Sequence, residues 1–191
     1  DVYPDRLDPK LGISPRALMK RVYESAVSYA RTFSTASESL LFMGATGLGK
    51  TLLSGCIARA VADRGYSVCY VSAGKLFSDF ETEKFRLKED GALTGEYLQT
   101  DLLIIDDLGT EMTTQFTVSA LYQIVNGRLL SGKPTIVSTN LPDTELEARY
   151  SAQIASRLLG AYTLYQFCGT DVRLLRKSKL HFMPVSYVKK E

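Results

Sequence analysis

The chain is poor in the residues that build metal and disulfide frameworks. It has one histidine, His181, and three cysteines, Cys56, Cys69 and Cys168, in 191 residues. The cysteines are odd in number, far apart and set among apolar residues, the pattern of buried free thiols in a reducing compartment and not of a disulfide scaffold. His181 has no cysteine partners, which removes a zinc site. No apolar run approaches the roughly 20 residues that a membrane-spanning helix needs, and no signal peptide is visible. These absences predict a cytoplasmic protein with no membrane partner. An excess of one charge is also missing: 23 Lys and Arg face 21 Asp and Glu, so any contact with nucleic acid must come from a local patch. There is no internal repeat and no low-complexity tract. A composition that is 45% hydrophobic and 23% charged fits one globular domain of ordinary size. The chain begins at Asp1 and not at Met, which reads as a fragment whose N-terminal portion was removed.

What is present alternates. Residues 1–12 are rich in Pro and Asp and read as an extended entry segment. Ser14 and Pro15 then supply a helix N-cap and a first-turn proline, followed by Leu18, Val22, Ala26, Val27 and Ala30 at helical spacing. Leu40–Met43 reads as a first core strand. Later apolar runs at Ser67–Val71, Leu102–Ile105, Thr135–Ser138 and Tyr162–Phe167 are separated by helical segments at Thr51–Arg64, Lys75–Lys88, Thr114–Leu130 and 143–160, with a basic last helix at 171–179. Strands apolar on both faces and separated by helices predict an α/β fold: a parallel five-stranded sheet, buried and sandwiched by helices. The division expected is 1–34 as linker and helix, 35–180 as the domain proper, and 181–191 as a tail.

The residues between the first strand and the next helix are GATGLGKT, Gly44 to Thr51. Glycines at this spacing let backbone N–H groups converge on phosphate oxygens, and the helix adds the positive end of its dipole. Strand, G-x-x-x-x-G-K-T and helix make up the context of the Walker A motif. The ligand-binding set is therefore Gly44, Ala45, Thr46, Gly47, Leu48, Gly49, Lys50 and Thr51, with Lys50 reaching the β- and γ-phosphates and Thr51 ligating Mg²⁺. Leu102–Ile105 then runs into Asp106 and Asp107. Two acids ending a buried strand suit a cation and a water: Asp106 as the Walker B carboxylate holding Mg²⁺, and Asp107 orienting or deprotonating the attacking water. A guanine-reading Asn-Lys-x-Asp is absent, since the corresponding segment is Asn140-Leu141-Pro142-Asp143, so ATP is the expected nucleotide.

Thr135–Asn140 is a strand ending in an amide that could polarise that water, and Asn140 resembles sensor 1 of the AAA+ ATPases. Arg157, in Ile154–Leu158, resembles the arginine finger that reaches a neighbouring subunit's γ-phosphate. Arg173, in Gly169–Arg173, resembles sensor 2. With GATGLGKT, LLIIDDLG, KPTIVSTNL, IASRLLG and GTDVR, the chain resembles the bacterial DnaC/DnaI helicase loaders and the related IstB transposition ATPases over roughly residues 35–177. The resemblance implies an AAA+ P-loop NTPase with a reduced C-terminal lid. It also implies self-association in a spiral or ring with ATP between subunits, binding of single-stranded DNA, and the replicative DNA helicase as partner. Loaders carry an N-terminal helicase-binding domain that these residues lack. The rival readings are an IstB-like transposition helper, a small-molecule kinase, and a nucleotide-gated clamp, the last because Asp107 is shorter than the Glu many relatives carry.

Between the second strand and Walker B, Leu76–Lys88 mixes aromatics with cations. Phe77, Phe80 and Lys84 are candidate contacts to single-stranded DNA, rings stacking on bases and the cation following the backbone. Phe77, Phe80 and Leu87 also fall at helical spacing and could equally face the core. The basic tail Arg173, Arg176, Lys177, Lys179, Lys189 and Lys190 is a second, weaker candidate for phosphate contact.

Overall fold

The computed structural model describes residues 3–9, 12–85 and 92–174. The entry helix α1 (Pro15–Thr32) starts where its cap predicts, with the Ser14 hydroxyl accepting from the Ala17 amide at 3.2 Å and Pro15 in the first turn. The sheet is formed by β1 (Leu40–Met43), β2 (Val68–Ser72), β3 (Leu102–Leu108), β4 (Thr135–Thr139) and β5 (Thr163–Gln166). Its order is β2-β3-β4-β1-β5, and every pairing is parallel. The helices between strands are α2 (Lys50–Ala62), α3 (Ala73–Phe85), α4 (Ala92–Gln99), α5 (Gln115–Leu130), α6 (Asp143–Tyr150) and α7 (Ala152–Ala161).

Alternation along each strand divides the core in two. Leu40, Phe42, Leu102, Ile104 and Ile136 face α1 and α2. Leu41, Met43, Leu103, Ile105 and Val137 face α3 to α7. The helix expected in the N-terminal linker belongs to the first of these layers: Met19, Val22, Ala26, Tyr29 and Ala30 pack with Ile57 and Val61 of α2. β1 lies inside the sheet, with the chain leaving toward β2 on one side and returning to β5 on the other. In open α/β sheets the ligand site forms outside the carboxyl ends of the strands at such a reversal, which is where Gly44 to Thr51 sits.

Two expectations need correction. Ser67–Val71 read as a buried strand, but β2 is an edge strand, and Tyr70 is 41% exposed. The cysteines are free but not buried: Cys56 is exposed on α2, and Cys69 and Cys168 are half-buried. Residues 175–191, which include His181 and on which the expected remainder of the last helix, the lid and the tail fall, lie outside the described residues, as do Arg86, Leu87 and Lys88.

At the opposite end of the sheet from the glycine loop, Arg128 of α5 is 0% exposed. Its guanidinium donates to the carbonyls of Tyr97, Leu98, Thr100 and Pro134 and to the Thr135 hydroxyl. One side chain thus fastens the end of α4 to the starts of β3 and β4.

Candidate functional site

The loop after β1 takes the conformation its glycines predict. Gly44, Gly47 and Gly49 have φ of 149°, 77° and 91°. A Cβ on Gly44 would collide with the Phe167 backbone, and one on Gly47 with the Asp171 carboxylate, so glycine is required for close packing as well as for φ. Lys50 opens α2 and is 5% exposed. Its ammonium donates to the Gly44 and Ala45 carbonyls at 2.5 and 2.9 Å. Burial lowers its pKa from the ordinary lysine value, opposed by the nearby charges of Asp107 and Asp106.

Asp106 ends the buried stretch of β3 and is 5% exposed. The Thr51 hydroxyl donates to its Oδ1 at 3.3 Å, the Ser138 hydroxyl donates to the same oxygen, and the Tyr70 phenol donates to Oδ2 at 2.9 Å. One carboxylate beside one hydroxyl at the mouth of a phosphate loop is a hard-oxygen donor set that fits Mg²⁺, which takes one or two carboxylates and completes its shell with phosphate and water. Asp107 is exposed and adopts φ 56°, a left-handed backbone uncommon for a residue other than glycine. The Ser138 hydroxyl accepts its amide at 3.0 Å. This turn directs Asp107 away from the core side that Asp106 occupies.

Asn140 follows Thr139, which pairs with Met43 on one side and Leu108 on the other. The amide therefore leaves the sheet between the two nucleotide motifs, and Asn140 shares the wall of a cleft of about 400 Å³ with Gly44 and Ala45. Arg173 also comes to the loop. The Val172 amide donates to the Gly47 carbonyl at 3.0 Å, and Arg173 pairs with Asp171 at 2.8 Å. Its charge acts on Lys50, and the charge of Asp107 acts on it. Arg157 is held elsewhere. It donates to Asn126 Oδ1 at 2.9 Å and to the Tyr122 hydroxyl at 3.1 Å, with its guanidinium 4.8 Å from the Tyr122 ring centre. The structure thus gathers Lys50, Thr51, Asp106, Asp107, Asn140 and Arg173 at one end of the sheet and holds Arg157 of α7 against α5.

The family of IstB-like ATP-binding proteins matches residues 18–165. The chain belongs to that family. A Mycobacterium tuberculosis protein described as ATP-binding in an insertion sequence is 30% identical over 105 residues, 55% of this chain and 41% of that protein. The replicative helicase loader DnaC of Escherichia coli K12 is 27% identical over 148 residues, 76% of this chain and 60% of the loader. The chain thus spans about half the length of these two relatives. A crystal structure of the DnaC helicase loader superimposes with a TM-score of 0.72 at 20% identity, covering 79% of this chain and 90% of that one. The fold is the AAA+ form of the P-loop ATPases.

Within this family member, the candidate DNA segment needs correction. Phe77 and Phe80 of α3 are 4% and 7% exposed and pack against the sheet. Phe80 also stacks on Tyr97 of α4 with ring centres 6.5 Å apart. Rings committed to the core offer no face to a base, so the helical spacing marked a packing face. Lys84 is exposed, with its ammonium 5.0 Å from the Phe116 ring centre.

The residues that sequence reasoning missed are Ser138, Tyr70, Asp171 and Tyr3. Ser138 left a faint signal, a hydroxyl in an otherwise buried strand. Tyr70 left none, because its contacts join elements far apart in sequence, and Asp171, which pairs locally with Arg173, meets Gly47 only through the fold. Tyr3 donates to the Leu48 carbonyl at 2.7 Å. With Leu48, Gly49, Leu52, Leu53 and Phe167 it lines an apolar cavity of about 420 Å³ between α1 and α2, beside the phosphate loop.

Proposed function

We propose that this chain is the ATP-hydrolysing core of a replication protein that binds single-stranded DNA and loads the replicative helicase. The observation that carries the ATP-dependent part is the meeting of Lys50, Thr51 and Asp106 at the mouth of one glycine loop. The loader part rests on the likeness to the DnaC loader. In this reading Lys50 exchanges its loop carbonyls for β- and γ-phosphate oxygens, and the backbone of Gly44–Thr51 cradles the phosphates. Thr51 and Asp106 hold Mg²⁺, which when bound neutralises charge on the phosphates. Asp107 accepts the proton of the attacking water as its oxygen bonds to phosphorus and the bond to the ADP oxygen breaks. Asn140 orients that water, and Arg173 contacts the nucleotide from its own chain. The apolar cavity beside Tyr3 and Phe167 suits a planar adenine. Arg157, outside its own chain's site, completes the site of a neighbouring copy in a spiral or ring. The protein works in the cytoplasm, where helicase and exposed single strands meet.

Turnover per protomer is the measurement that tests this, taken across protein concentration with and without single-stranded DNA. It should rise with concentration and rise again with DNA. Arg157→Ala should lower the assembled rate about 1000-fold, the scale of an arginine finger, while leaving ATP affinity nearly intact. Turnover independent of concentration, or unchanged by Arg157→Ala, would rule out the shared site.

A transposition helper is the second reading, favoured by the IstB-like family match and by the insertion-sequence relative. Stimulation of a transposase, with no capture of the replicative helicase by the full-length protein, would select it.

A further inference from the structure

We propose that Tyr70 is a positioning residue for the magnesium carboxylate, its phenol fixing one oxygen of Asp106 so that the other faces Thr51. The proposal rests on the Mg·ATP reading of the loop and adds to it a residue from the sheet edge. Tyr70 stands on β2, paired with Ile104, while Ser72 pairs with Asp106. Its hydroxyl donates to Asp106 Oδ2 at 2.9 Å, lies 3.1 Å from the Ser54 hydroxyl and 3.4 Å from the Thr51 carbonyl. A single phenol oxygen therefore joins β2, α2 and β3 at the point where the metal residues meet.

Counting protons assigns the bonds. Two hydroxyl protons, from Tyr70 and Ser54, serve the Asp106 carboxylate and the Thr51 carbonyl. A bond to an ionised acceptor is the stronger, so the phenol proton goes to Asp106. The buried Ser54 hydroxyl then serves the Thr51 carbonyl, 3.1 Å away. On the other side of the carboxylate, Oδ1 receives the Thr51 and Ser138 hydroxyls. With both oxygens engaged the carboxylate has one orientation, and Oδ1 and the Thr51 hydroxyl, 3.3 Å apart, are its cation-facing pair. Tyr70 bonds neither of them and acts through Asp106. Packing does not account for it, because the side chain belongs to an edge strand and the residue is 41% exposed.

The test is Tyr70→Phe, which deletes one oxygen and keeps the ring. Magnesium is titrated against binding of a fluorescent ATP analogue, with melting temperature measured in parallel. The half-saturating Mg²⁺ concentration should rise about tenfold, the usual scale for losing a group that orients a metal ligand. Affinity for the metal-free analogue should not change, and the melting temperature should fall by no more than about 6 °C, the scale of one lost hydrogen bond. Ser54→Ala touches the same phenol but not the carboxylate, and should leave the midpoint within about twofold. An unshifted midpoint in Tyr70→Phe, or an equal shift in Ser54→Ala, overturns the role. If the unaltered protein binds no nucleotide at any Mg²⁺ concentration, the Mg·ATP reading itself falls and this proposal with it.

Discussion

Two buried cations sit at opposite ends of the same sheet, and their partners separate function from structure. Lys50 is 5% exposed and bonded to two carbonyls of its own glycine loop. Arg128 is 0% exposed, and its Nε, Nη1 and Nη2 donate to four backbone carbonyls and a hydroxyl. Burial lowers both pKa values, that of Arg128 to about 10. An ammonium is a compact charge whose partners exchange readily, and phosphate oxygens can replace the loop carbonyls. A guanidinium is a planar fork whose donors are already matched. Arg128 is therefore committed to the fold, whereas Lys50 is available to a ligand.

The comparison breaks if Arg128 can be removed cheaply. Arg128→Ala leaves four carbonyls and a hydroxyl without their donor in a dry site, and should cost about 4 kcal/mol, the scale of disrupting a buried ionic group. For a chain of this size that is a melting temperature lower by roughly 8–16 °C, readable by calorimetry. Lys50→Ala should do the reverse. Turnover should fall about 100- to 1000-fold, the usual cost of losing a group that stabilises the reacting charge. Its melting point should stay within about 2 °C of the parent, because the bonds lost are to a loop. A large drop in melting temperature for Lys50→Ala would erase the distinction.

The smallest effect sharpens it. Asp101 is a carboxylate whose charge acts on Arg128, and it accepts the Ser67 amide and hydroxyl at 2.9 and 2.8 Å. Those bonds from Ser67 lower its pKa below the ordinary carboxylate value. A depressed carboxylate contributes stability that is present above its unfolded pKa and lost as pH falls through the folded one. Asp101→Asn should therefore cost about 0.5–1 kcal/mol at pH 7, and the difference from the parent should close below about pH 4. A loss as large as that of Arg128→Ala would mean that Arg128 depends on a counter-charge and not on carbonyls.

Much of the nucleotide end was legible in the sequence because its signals are local. Gly44, Gly47 and Gly49 are spaced by the geometry of one turn, and Lys50 and Thr51 begin the helix that follows it. Asp106 and Asp107 stood out as acids closing an apolar strand. What was illegible depends on direction. Helical spacing in α3 located Phe77 and Phe80 on one face without saying whether that face met the sheet or solvent. The apolar run Ser67–Val71 did not reveal that its strand lies at the edge, so the exposure of Tyr70 and the part-exposure of Cys69 were hidden. Arg128 reads in sequence as an ordinary charge near a helix end; only the convergence of α4, β3 and β4 makes it internal.

The sequence by itself determined the parallel α/β alternation, the glycine loop between β1 and α2 and the paired acids, because each is written in residues adjacent along the chain and constrained by backbone geometry. The tertiary structure decided which oxygens surround Asp106, which cation serves the fold, and that the α3 aromatics are core. Those outcomes depend on strand order and helix rotation, which bring together residues with no fixed relation in sequence.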